Sequence, residues 1–203
     1  MKQYYFLTIT VVFFFIGAVL FQPAGAFAQS DSDTIQELLE ERDRQIKELL
    51  GPKGTEYTEE VRQKLKNMIN EIIDYSAMAQ FALQETYDTL STEQRNEFVD
   101  LFSTIIRDHS LSNLNIYRAD VIYKEIEVNG DTAVVHTLAQ LEDVRTPVIY
   151  NMKYDDQKGQ WVVTDIIIDD VSTAESYRRQ FQNIIRRKGY NSLVEILRER
   201  AAG

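Results

Sequence analysis

Between residues 121 and 168 four short runs rich in apolar side chains read as β-strands, at 121–128, 132–141, 147–154 and 161–168, and the third alternates apolar with polar most clearly. A period of two marks a strand with one buried face. Asn129-Gly130-Asp131 separates the first two runs, and Asn and Gly both tolerate the positive φ of a tight hairpin. A polar loop, Asp155-Asp156-Gln157-Lys158-Gly159, separates the last two. Connections this short make neighbouring strands antiparallel. In the third run Val148, Tyr150, Met152 and Tyr154 point one way, and Ile149, Asn151 and Lys153 the other. In the second run Ala133, Val135, Thr137, Ala139 and Leu141 form the inward set, which turns His136 outward with Val134 and Leu138. In the fourth, an unbroken period of two puts Asp165 on one face with Trp161, Val163 and Ile167.

On both sides of the sheet the period lengthens to that of helices. Residues 33–50 carry Ile35, Leu38, Leu39, Ile46, Leu49 and Leu50 on one side, with a charged, solvated face opposite. Gly51-Pro52-Lys53-Gly54 stops this helix. A second helical region spans 58–90. It has too many apolar positions for one stripe, so it is either buried on two sides or broken near Asp74-Tyr75-Ser76. Ser91-Thr92-Glu93-Gln94 is a capping box that opens a third helix to about residue 117, with Phe98, Leu101, Phe102, Ile105 and Ile106 inward. After the sheet, Ser172-Thr173-Ala174-Glu175 opens another helix, with Tyr177, Phe181, Ile184 and Ile185 on one side and Gly189 at its end. A last short helix carries Leu193, Ile196 and Leu197. The order predicts an α+β domain: a four-stranded antiparallel meander with helices packed on one face.

The first 28 residues stand apart. Lys2 is the one charge before Asp31, residues 4–21 are almost continuously apolar, and Ala26-Phe27-Ala28 is a small-x-small cleavage signal. We read residues 1–28 as a secretory signal peptide and residues 29–203 as one domain; an uncleaved anchor is the alternative. The chain has no cysteine, so a secreted form is held by packing alone, which suits a bacterial periplasm better than an animal extracellular fluid. The same absence leaves no residue for a lipid-modified cysteine anchor. Losing Lys2 moves the net charge from −10 to −11, which argues against nucleic acid as a partner.

Residues with chemistry to offer are few. No phosphate-cradling Gly loop, H-E-x-x-H or G-x-S-x-G occurs. His109 falls near a helix end beside Asp108 and His136 on an outward strand face, and two distant histidines make a poor metal site. Asp165 interrupts an apolar strand. Facing inward it would be a buried general base; otherwise it caps a helix N-terminus or pairs with an arginine. Arg186-Arg187-Lys188 complement the dipole of their helix or form a docking patch for an acidic partner. The inward side of the second strand is small, at Ala133, Thr137 and Ala139, which leaves space for an apolar ligand if the helices do not fill it.

The stretch from Trp161 through Asp165, Val171-Ser172 and Tyr177-Arg178 to Phe181, followed by Gly189 and Leu193, resembles the C-terminal signature of the MlaC family. Asp74-Tyr75-Ser76-Ala77-Met78-Ala79, Leu90-Ser91-Thr92-Glu93-Gln94-Arg95-Asn96-Glu97-Phe98, Gly130-Asp131-Thr132-Ala133-Val134-Val135 and Pro147-Val148-x-Tyr150 are similar to family segments in the same order. Asp170 stands where that family usually has Gly. The resemblance implies an NTF2-like fold with a deep apolar pocket between sheet and helices. The pocket takes phospholipid acyl chains and leaves the head group near solvent. It also implies a soluble periplasmic shuttle with no catalytic activity and no cofactor, the phospholipid being cargo. The implied partners are an outer-membrane lipoprotein–porin complex and an inner-membrane ABC transporter with its periplasmic substrate-binding subunit, a system concerned with outer-membrane lipid asymmetry.

On this footing the expected pocket wall is Val135, Thr137, Ala139, Val148, Tyr150, Met152 and Val163 from the sheet. Met78, Phe81, Ala82, Phe102, Ile105 and Phe181 face them from the helices. Two other functions use the same fold differently: an NTF2-like enzyme built on Asp165, and a ligand-free interaction module docking through the first helix and the Arg186–Lys188 cluster.

Overall fold

The four runs form the expected meander: β1 (Asp120–Asn129), β2 (Thr132–Leu141), β3 (Val144–Asp155) and β4 (Gln160–Ile168). A two-residue strand, β5 (Val171–Ser172), adds a fifth member beside β4, and every neighbouring pair is antiparallel. The extra strand follows a turn in which Asp169 and Asp170 both have positive φ (48° and 63°), while Asp169 N–H donates to Pro147 O at 3.0 Å. Asp tolerates this left-handed conformation better than most residues, so Asp170 serves where glycine is the usual solution. The computed structural model describes residues 24–111 and 114–202; the expected signal sequence falls outside the described residues as far as position 23.

Two bulges set the faces of the sheet. On β1 the pairing jumps between Tyr123 and Glu125, and on β4 between Val163 and Asp165. Each bulge shifts the inward set by one residue. Val121 and Tyr123 are therefore followed on the inner face by Ile126 and Val128, and Trp161 and Val163 by Ile166 and Ile168. Asp165 pairs with Asn151, on the other face from Val163. The unbroken alternation expected for this strand is thus corrected at Thr164.

The first helix, α1 (Ala24–Leu50), starts earlier than residue 33, since neither Gly nor Pro interrupts residues 26–33. Its end is held by Arg118, which donates to Leu50 O at 3.0 Å, to Gly51 O and to the Tyr57 hydroxyl. The long second region, read as either buried on two sides or broken in two, is broken into three helices: α2 (Glu59–Ile72), α3 (Tyr75–Leu83) and α4 (Glu85–Thr89). At the first break Ile73 bridges Val163 in parallel, and Asp74 N–H donates to Val163 O at 2.9 Å. Asp74 then caps α3 by accepting from Ala77 N–H at 2.9 Å. The Ser91 capping box is reciprocal and opens α5 (Thr92–Leu111). This helix is shorter than expected, and a 3-10 turn at Leu114–Arg118 leads into the sheet. Ser172 caps α6 (Thr173–Lys188) through Glu175 N–H, and α7 (Tyr190–Ala201) ends the fold.

Packing of α5 on α6 and α7 is aromatic. Phe98, Phe102 and Phe181 have essentially no exposure, and their ring centroids lie 5.2–5.8 Å apart. Tyr177 meets Phe102 edge-on at 4.9 Å, and Tyr190 lies 6.3 Å from Phe98. Such pairs add about 0.5–1.5 kcal/mol each beyond the apolar area they bury. Gly189 makes the corner between α6 and α7 with φ 83° and ψ 167°, a region that is almost exclusive to glycine. Gly189→Ala is expected to destabilise the protein by about 1–3 kcal/mol. The check is a lowered denaturant midpoint with an unchanged denaturant slope.

Candidate functional site

The inner face of the sheet is defined by cross-strand register. Val135 lies opposite Tyr150, Thr137 opposite Val148, and Ala133 opposite Met152, which is in turn opposite Val163. Residues paired across an antiparallel ladder project to the same side. All seven expected sheet positions therefore share this face: Val135, Thr137, Val148, Met152 and Val163 are buried, and Ala139 and Tyr150 are half-buried. Tyr123, Ile126, Val128, Trp161 and Ile166 join them, although period-two counting across the bulges does not find them all. Thr137 loses no hydrogen bond by burial, because its hydroxyl donates to Val148 O at 2.8 Å.

The helical cover rests on the outer long strands. α1 packs against β1, while α2, α3 and α6 pack against β4. The small side chains of β2 thus lie beneath a span between two supports. Met78, Ala82, Phe102 and Phe181 reach into that span and are buried, and Ile105 is half-buried against the same core. Phe81 does not take part. It is 49% exposed, and the Arg178 guanidinium lies over its ring at 5.8 Å. On α3 the inward positions are Tyr75, Met78, Ala79, Ala82 and Leu83, and Phe81 projects roughly a third of a turn away from their centre. Among the expected wall residues Phe81 is the correction. An open hollow lined by Gln84, Glu85, Thr86 and Gln182 lies on the polar surface, away from the inner face.

Three tyrosines, Tyr75, Tyr123 and Tyr150, bring hydroxyls to the interior; Tyr150 was an expected wall residue, and Tyr75 and Tyr123 were not. Burial pushes the phenols of Tyr75 and Tyr150 up to about 12, and that of Tyr123 higher still. The Asp43 carboxylate on α1 adds to the shift at Tyr123 and Tyr150, whereas Arg107 partly offsets it at Tyr75.

Asp165 has a structural task. Its carboxylate accepts from Ala174 N–H at 2.9 Å and from the Ser172 hydroxyl at 2.6 Å, and so caps α6. Of the two readings of Asp165, general base or helix cap, the structure bears out the cap: both carboxylate oxygens serve the helix start. His136 sits half-buried on the outer face with Nε2 3.8 Å from Glu127, and His109 is exposed near the end of α5. Among the described residues no group of three His, Cys, Asp or Glu is placed to hold a metal ion, and no helix is long and apolar enough to cross a membrane. Arg186, Arg187 and Lys188 occupy the last turn of α6, where they complement its dipole.

An antiparallel sheet with one apolar face, roofed by helices that stand on its outer strands, defines a class of α+β proteins with an apolar interior between two layers. Within that class the chain belongs to the MlaC protein family, whose model matches residues 40–199. No curated protein matches the chain. Among solved structures, it is similar to the phospholipid-binding protein from Ralstonia solanacearum, determined in complex with a phospholipid. The two share 23% identity with a TM-score of 0.69, over 85% of this chain and 97% of the other. That likeness establishes the shared fold.

Two outcomes follow from these contacts. Unfolded tyrosine ionises near pH 10. The native state keeps Tyr75 and Tyr150 protonated to about pH 12. The unfolded chain therefore binds fewer protons in that window, and stability falls as pH rises from about 10 to 12. Tyrosinate absorbance during alkaline titration should show a late-ionising group of tyrosines, released together when the protein unfolds. Separately, Asp165→Ala is expected to cost about 1–2 kcal/mol of stability through loss of the α6 cap, measured by chemical denaturation.

Proposed function

We propose that this chain is a periplasmic phospholipid carrier, exported by a signal peptide at residues 1–28 and working as a single domain over residues 29–203. It takes acyl chains between the inner sheet face and the helices and leaves the head group toward solvent. The observation that carries the proposal is the roofed, mostly apolar inner face of β2 and β3, small at Ala133, Thr137 and Ala139, in a chain of the MlaC family. A solved protein of the same fold holds a phospholipid, which supports the choice of cargo. No catalytic step and no cofactor is assigned.

The energetics explain why a carrier is needed. Each buried methylene is worth roughly 0.8 kcal/mol, so one long acyl chain accounts for on the order of 10 kcal/mol. An interior that replaces membrane hydrocarbon removes that barrier to crossing water. The inner face is closely covered, with Val135, Thr137, Met152 and Val163 at most 4% exposed. Entry of a chain therefore requires side chains and helices to part, and hand-over requires donor and acceptor of comparable affinity. The donor and acceptor in this reading are an outer-membrane lipoprotein–porin complex and the periplasmic substrate-binding subunit of an inner-membrane ABC transporter. The cationic end of α6 at Arg186, Arg187 and Lys188 offers a docking point for them.

Native mass spectrometry tests the proposal on mature protein purified without detergent from a Gram-negative periplasm. The expected result is an added mass matching a phospholipid. Ala139→Trp, placed where β2 is half-buried, is expected to abolish that added mass while the circular dichroism spectrum is kept. A bare mass for the unaltered protein, with no lipid taken up from labelled vesicles, would turn the assignment to a ligand-free interaction module.

A further inference from the structure

Tyr75 opens α3 and is 8% exposed, and its buried hydroxyl has no acceptor within hydrogen-bonding geometry, although the Arg107 guanidinium stands near enough to act on the phenol oxygen. An orphaned buried donor costs about 1–3 kcal/mol, and native interiors rarely leave one. Its surroundings are polar on one side and apolar on the other. The Arg107 guanidinium lies 5.6 Å from the ring centroid, held by donation to the Ser103 hydroxyl at 2.9 Å and the Thr104 hydroxyl at 3.0 Å. Tyr117, on the 3-10 turn, is close enough to act on the Tyr75 phenol electrostatically. Tyr75 also belongs to the same continuous buried core as Met78, Phe102, Val135 and Met152, which are expected wall residues.

A phenol O–H beside a guanidinium favours an acceptor oxygen with partial or full negative charge. A purely hydrocarbon ligand supplies none. A phospholipid supplies such oxygens where its acyl chains meet the glycerol, as ester carbonyls and the phosphodiester. We propose that Tyr75 is a ligand-binding residue: its hydroxyl donates a hydrogen bond to an ester-carbonyl or phosphodiester oxygen of the bound phospholipid, with Arg107 providing the positive field. This rests on the phospholipid reading above. Tyr75 is a neutral donor at physiological pH, as any tyrosine is, and burial moves its ionisation further from that range. The hydroxyl then gains its partner only when cargo is in place, which fixes how deep the lipid seats along the pocket axis.

The test compares the mature protein with Tyr75→Phe, which removes one oxygen and keeps the ring. Three probes are titrated: a diester phospholipid, its diether analogue, and the apolar dye 1-N-phenylnaphthylamine, which has no acceptor oxygen. Lipid-free Tyr75→Phe is expected to keep or raise its denaturation midpoint, since an unpaired donor is removed, to bind the diester lipid about ten-fold more weakly, and to bind the dye as the unaltered protein does. A diether lipid whose affinity is the same in both proteins assigns the acceptor to the ester carbonyl; a loss with both lipids assigns it to the phosphodiester. Equal affinity of both proteins for both lipids overturns the proposal and gives the hydroxyl to a buried water. An equal loss of lipid and dye binding also overturns it, since that marks general damage to the pocket. If the unaltered protein takes up neither lipid, the carrier reading fails and this one with it, an outcome distinct from a selective failure at Tyr75.

Discussion

The arrangement of the two layers depends on one short contact, the docking of Ile73 and Asp74 on the edge of β4. Ile73 bridges Val163, Asp74 N–H reaches Val163 O, and the Asp74 side chain caps α3. A helix end and a sheet edge each expose backbone groups that must find partners when buried. Here they satisfy one another. The junction thereby fixes where α3 starts and the direction in which it crosses the sheet, and with it the placement of Tyr75, Met78, Ala79 and Ala82. It also blunts β4 as an edge ahead of the point where β5 takes over its pairing at Ile167 and Ile168.

From that junction the helical layer becomes a bridge with two abutments. One is α1 on β1; the other is α2, α3 and α6 on β4. Between them the aromatic cluster of Phe98, Phe102, Tyr177 and Phe181 ties helix to helix. Dispersion and area terms are non-directional, so the aromatic contacts themselves can adjust by small steps without breaking a hydrogen bond. The hydrogen-bonded sheet below cannot. A stiff floor under an adaptable apolar roof suits the proposed phospholipid cargo, whose chains vary in length and unsaturation.

Much of this was legible in the sequence. The meander, the capping boxes at Ser91 and Ser172, the break near Asp74 and the inward face of β2 follow from local rules: period two, turn residues, and side chains that satisfy the first backbone donors of a helix. What escaped depends on partners far along the chain. The bulges at Lys124 and Thr164 break the period, so counting straight through them put Asp165 inside. The spacing of Trp161, Val163, Ile166 and Ile168 did carry the signal, an apolar set that skips two residues once. Phe81 was misplaced for a related reason, since an apolar residue on a short helix reads as core until the centre of the buried stripe is known. Tyr75 gave no sign beyond its residue type, because an unpartnered hydroxyl is a property of the assembled interior.

Gln182 has a mechanical consequence. Its side-chain amide donates to the carbonyls of Ala82 at 3.1 Å and Leu83 at 2.8 Å, so α6 finishes the end of α3 that the turn at Gln84 leaves open. With φ 52° and ψ −135°, Gln84 holds a backbone geometry that a non-glycine residue adopts only under constraint. Sliding α3 along α6 would strand two carbonyls at once and release that strained turn. The two helices are therefore latched and travel as one lever, with the Asp74 junction as its fulcrum.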